Sequence, residues 1–241
     1  MSRRNRGQCK SDEDKMDDLG QDRLTRAAAE IAECTRILDK SGLNLVGEVL
    51  RGFGDFIEFE HYPPEDSYDP ESHAQYYFHA HPPGEREWSD YGHFHIFLRP
   101  KGMPAGITPA PLPDLVPEEG GNDRLSHIVA ISMTNAGQPE RLFTTNRWVT
   151  AETWYRAEDV IAMLDRVRFD TAWPSWPLNR WLSAVLVLYR DEIAQLLRSR
   201  DQAVAQWQSD HPGINAFEDR GLEITSCLDI DLSEKMASFE K

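Results

Sequence analysis

The apolar positions divide the chain into helical stretches at both ends and extended stretches between them. Over residues 21–41, Leu24, Ala27, Ala28, Ile31, Thr35 and Leu38 recur three and four apart, the spacing of one helix face. Ser41-Gly42 breaks this helix, and Leu43, Val46, Val49 and Leu50 predict a second, short one over 43–51. Asp55–His61 then reads as a strand, followed by an acidic loop over 62–70 that carries Pro63, Pro64 and Pro70. Residues 75–81 and 92–98 alternate as two further strands around a turn containing Pro82, Pro83 and Gly84. The proline-rich segment 100–123 predicts a long loop of the kind that often serves as a lid. Segments 127–133 and 141–149 form a second expected hairpin, with its turn at Asn135–Gly137. A helix over 157–167, a long one over 178–208 and a last strand over 222–230 complete the pattern.

Helices, then antiparallel strands, then helices, without regular βαβ alternation, predict an α+β fold. It comprises an antiparallel sheet containing a histidine-rich hairpin, with N-terminal and C-terminal helices packed on it. The expected organisation is a disordered leader over 1–20 and a single domain over 21–241. The leader carries Arg3, Arg4, Arg6 and Lys10, then an acidic run, with no apolar stretch of a secretory signal.

Composition narrows the partners. A 241-residue chain with 40% hydrophobic residues can bury a sizeable core, and a net charge of −15 disfavours nucleic acid and anionic membrane surfaces. The longest apolar run, Trp181–Tyr189, is too short to span a bilayer. Cys9, Cys34 and Cys227 are widely spaced and form no C-x-x-C pair, so a disulfide framework is not expected and a reducing cytoplasm is. Cys34, inside a helical pattern, is expected to pack as a small apolar residue.

The chemistry concentrates in residues 79–95. Four histidines fall within seventeen residues as two His-x-His pairs, His79/His81 and His93/His95. Strand side chains alternate faces, so each pair projects both imidazoles to one side. Pairing His81 with His93 and His79 with His95 would put all four on one face. Tyr76, Phe78, Ala80, Phe94, Ile96 and Leu98 would then form an apolar core face on the other. Imidazoles so gathered predict a site for one divalent transition metal (iron, manganese, zinc, nickel or copper), with Glu85 or Glu87 as a carboxylate ligand. The expected activity is oxidative or hydrolytic, on a small polar molecule. Two other readings fit the same residues: a metal-free histidine and aromatic pocket for a small molecule or partner, and a closed metal site that only staples the hairpin.

His127, which opens the next strand, is a candidate further ligand or substrate contact, and His61 lies beside the acidic loop. Arg147 is a candidate anchor for a substrate carboxylate, or a partner for Glu58 or Glu60 across the sheet. Glu152 is expected to be exposed near a helix start. Trp148, Trp154, Trp173, Trp176 and Trp181 are expected to build core. There is no Gly-x-Ser-x-Gly elbow, Gly-x-Gly-x-x-Gly fingerprint or P-loop.

Two resemblances add to this. His79-Ala-His81, Glu85 and Gly92 resemble the first cupin motif, which implies His79, His81 and Glu85 as metal ligands. The motif's opening glycine is His73 here, and its second motif has no counterpart. More widely, His61-Tyr-Pro, Gln75–His81, Gly92–Phe97, His127–Met133 and Leu142–Val149 together resemble an uncharacterised bacterial family, a domain of unknown function. That resemblance implies a single domain from about residue 20 onward and no activity.

Overall fold

A computed structural model describes residues 12–84, 88, 90–112 and 121–239, with side chains from residue 19 onward. Helix α1 (Asp12–Asp39) starts inside the expected leader. Its apolar stripe, on which the sequence reading relied, begins only where it meets the core: residues 19–23 are exposed, whereas Ala27, Ala28, Ile31, Cys34 and Leu38 are buried. The short α2 (Leu45–Leu50) is capped by Asn44, whose side chain accepts from the Gly47 N–H at 2.8 Å.

Among the described residues six strands follow: β1 (Tyr62–Tyr68), β2 (Ala74–His79), β3 (Gly92–Leu98), β4 (Ser126–Met133), β5 (Pro139–Thr145) and β6 (Ile224–Asp229). They lie side by side in chain order, every neighbouring pair antiparallel. A single sheet in this order differs from the closed double-sheet barrel that a cupin fold would require. The fold class is therefore α+β, as the pattern predicts.

Two strand expectations are corrected. Residues 55–61 form turns, not a strand: the Tyr62 hydroxyl accepts from the Ile57 N–H at 2.8 Å, Phe59 takes a positive φ, and Ile57 and Phe59 stay exposed. The strand lies instead in the expected acidic loop. As an edge strand, β1 tolerates Pro63 and Pro64, and its register slips around Glu65 and Asp66, both at positive φ. Further on, β5 stops at Thr145. Asn146 caps the short α3 (Arg147–Thr150), so Arg147 and Trp148 are not strand residues.

One sheet face carries Tyr76, Phe78, Phe94, Ile96, Leu98, Ile131 and Leu142, clustered with residues of α1, α2, α4 (Ala157–Met163) and α5 (Trp176–Leu188). The expected long helix is two, α5 and α6 (Arg190–Asp210), broken at Tyr189. Periodicity continues through the break because both helices keep an apolar stripe, so it does not register the change of partner. Both helices add to the core, α5 beside α1 and α6 beside α4 and β6, where the Ser226 hydroxyl donates to the Leu196 carbonyl at 2.9 Å. A last helix, α7 (Leu232–Ala237), follows β6. Trp154 and Trp181 are buried as expected, while Trp173 and Trp176 are half exposed.

The opposite sheet face is buried as well, with Tyr77, His95, Phe97, Ala130 and Phe143 all withdrawn from solvent. A second apolar cluster joins Ala110, Trp154, Val204 and Ala216, the Trp88 ring meets Phe143 edge-on, and the Ala110 N–H donates to the Trp154 carbonyl at 2.9 Å. Among the described residues no helix is long and apolar enough to cross a membrane.

Candidate metal centre

The hairpin pairs in a register two residues away from the expected one. His79 faces His93, Tyr77 faces His95 and Phe78 faces Phe94. A two-residue shift leaves every side chain on its expected face, so the apolar and histidine faces both form as predicted. Two local features set the register. The Ala80 carbonyl accepts from the Phe59 N–H at 2.9 Å, which takes the chain out of the ladder before His81. Gly92 packs so closely that a Cβ there would sit 2.6 Å from the His79 carbonyl oxygen.

As a result His79, His93 and His95 converge, each offering a ring nitrogen within 4.8 Å of the others'. The His79 and His93 Nε2 atoms are 2.8 Å apart. His93 Nδ1 lies 3.0 Å from Asp90 Oδ2, which also accepts from the Ser132 hydroxyl at 3.1 Å. His95 Nδ1 lies 3.1 Å from His127 Nε2. A carboxylate accepts, so His93 carries its proton on Nδ1 and turns the Nε2 lone pair to the centre. The imidazole at its Nδ1 holds the His95 ring in place. This outer support is the kind that orients metal-bound histidines. His127 reaches the histidine face because the β3–β4 register shifts between Ile96 and Phe97.

Burial sets the charge. Removal from water, reinforced by neighbouring His93, drives His79 down to about 2 and His95 well below the ordinary imidazole value. Burial, then the Arg200 guanidinium, lowers His127 to about 3. These rings are therefore neutral near pH 7, the form in which imidazole ligates metals.

The remaining candidates are distributed around this centre. The His81 ring is 4.9 Å from His79 and 5.5 Å from His93, measured between centroids, and lies outside the converging trio. The His61 ring stacks on Tyr77 at 3.6 Å, with its Nδ1 2.9 Å from Asp66. Arg147 pairs with Glu218 at 3.0 Å, while Glu58 and Glu60 are exposed. Glu85 and Glu87 lie outside the described residues. Glu152 is corrected from an exposed to a buried residue, 2% accessible, whose Oε2 accepts from the His127 N–H at 2.7 Å. Burial, opposed by Arg200, raises its carboxyl to about 7. Arg200, equally buried, lies over the Trp154 ring at 4.0 Å and donates to the Tyr155 carbonyl at 2.6 Å.

A half-enclosed cavity with about 30 Å³ of water-occupiable space opens beside His93 and His95. His81, Asp90, Thr145 and Glu223 line it together with Trp88, Phe143, Val149 and Ile224. Sequence reading missed Thr145, Ser132, Glu152 and Arg200. Strand parity could have found the first two: Ser132 pairs with His93, and Thr145 follows Phe143 by two positions on β5. Glu152 and Arg200 come from a loop and a helix far along the chain and leave no local signal.

Compared with known proteins, the chain matches over residues 25–230 the model of a family described as a domain of unknown function, DUF6969. No curated protein and no solved structure matches it.

Proposed function

The chain belongs to the DUF6969 family, whose description states no activity, and from the site itself we propose a metal-dependent enzyme. One divalent transition ion is held by His79, His93 and His95 and acts on a small polar molecule by oxidative or hydrolytic chemistry. The carrying observation is the convergence of three imidazoles, two with outer partners at Nδ1, beside a cavity. Three histidines with one position left open is the ligand set of catalytic rather than structural metal sites. All-imidazole ligation suits zinc, iron, nickel and copper better than magnesium or calcium. Around a tetrahedral ion with bonds of ~2.0–2.1 Å the ligand nitrogens lie roughly 3.3 Å apart. His79 and His93 therefore part by about half an ångström as the ion replaces the proton between them. Bound there, the ion would acidify a water or bind a substrate atom directly. The reading keeps the protein in the cytoplasm, where Cys34 and Cys227 stay as thiols.

A metal-free histidine pocket is the second reading, and it has one observation in its favour: His79 and His93 already satisfy each other at 2.8 Å. Elemental analysis of protein purified without an affinity tag separates the two. About one equivalent of a first-row metal, lost in the His79→Ala/His95→Ala double variant, is the expected result. Wild-type protein that stays metal-free after incubation with each first-row divalent ion would decide for the second.

A further inference from the structure

The cavity beside the triad limits what the open position can take. Its space of about 30 Å³ holds about two or three water-sized atoms. Four of its ten lining residues are apolar, Trp88, Phe143, Val149 and Ile224.

Among the described residues, one polar side-chain atom on the lining has no partner in the protein. Thr145 is 1% accessible, and its hydroxyl, at the end of β5, makes no hydrogen bond. Leaving a buried hydroxyl unsatisfied costs about 1–3 kcal/mol, so this group needs a mate from outside the chain.

Building on the metal-centre reading, we infer that the open position takes a ligand of two or three non-hydrogen atoms, in the size class of dioxygen. One end binds the ion, and the other accepts a hydrogen bond from the Thr145 hydroxyl. Thr145 is a positioning residue for that ligand and takes no part in holding the metal.

The test uses full-length protein loaded with cobalt(II), whose visible absorption reports its ligands. Azide serves as the three-atom probe and imidazole as a ring too large for the cavity. Azide is expected to perturb the cobalt spectrum of the wild type and imidazole to leave it unchanged. Thr145→Val, nearly isosteric, should keep cobalt stoichiometry but weaken azide about five- to tenfold, the factor carried by one hydrogen bond. Thr145→Ser should restore the affinity, which a merely structural role would not. Equal azide affinity in wild type and Thr145→Val, or imidazole binding as readily as azide, overturns the inference while the metal centre stands. Failure of the wild type to bind cobalt overturns both. Should Thr145→Val not fold, as seen by circular dichroism, azide affinity in Thr145→Ser decides alone: a value near wild type supports the hydroxyl, and a tenfold loss refutes it.

Discussion

At the scale of single residues, the site is governed by which polar groups give up water and what replaces it. Its imidazoles gain only one another or a carboxylate, and burial leaves His79, His95 and His127 neutral. Glu152 is the acidic counterpart. Its Oε2 receives the His127 N–H, Oε1 has no partner, and burial lifts it from an ordinary 4.5 to about 7 despite Arg200. The folded protein therefore retains this proton in the window from about 4.5 to 7, where the unfolded chain has lost it. Stability from this group is fully present below the lower value and falls as pH rises through the upper one, by on the order of 2–3 kcal/mol. Glu152→Gln keeps an acceptor for the His127 N–H but removes the titration. Urea unfolding at pH 5 and pH 8 should show wild type losing stability with rising pH relative to Glu152→Gln. Parallel profiles for the two proteins would mean that the carboxyl is ionised throughout.

At the scale of elements, alternation and periodicity reveal faces but not register, direction or partner. Phe78, Phe94 and Ile96 on one side and His79, His93 and His95 on the other follow from parity alone, and this much of the site was legible. The register was not, because it depends on how closely two backbones pass at Gly92. A Cβ there would meet Phe78 Cζ at 2.5 Å and the His79 carbonyl oxygen at 2.6 Å. Gly92→Ala should therefore destabilise the fold by about 2–3 kcal/mol. It should also weaken metal binding, since the backbone that must yield is that of a ligand. Gly84→Ala, where the added methyl meets nothing within 4 Å, should leave thermal midpoint and metal affinity unchanged. If the two variants behave alike, Gly92 does not set the register. The false strand over 55–61 has the same origin: its aromatic and β-branched residues suit a strand, but the Tyr62 hydroxyl and the Ala80 carbonyl took its backbone groups before a neighbouring strand could. Likewise the stripe from Leu178 to Leu197 continues across the Tyr189 break, although α5 packs mainly on α1 and α6 on α4 and β6.

At the scale of the whole molecule, the centre draws on distant segments. Its candidate ligands come from β2 and β3, their supports from β4 and Glu152, and the charge behind those from Arg200 on α6. An ion that binds only this assembled arrangement stabilises the entire sheet, because the unfolded chain cannot offer three converging imidazoles. At a free-metal concentration 100 times the dissociation constant the gain is about 2.7 kcal/mol, which for a chain of this length raises the melting midpoint by roughly 5–10 °C. The net charge of −15 makes the choice of control decisive, since an acidic surface attracts any divalent cation weakly and without specificity. Magnesium feels that surface but is a poor match for imidazole, whereas zinc or cobalt feels both. A melting shift with zinc or cobalt, absent with magnesium and absent in His93→Ala, therefore isolates the contribution of the triad from that of the charged exterior. Equal shifts in wild type and His93→Ala would move the metal out of the sheet and onto the surface, and the enzyme reading would lose its reaction centre.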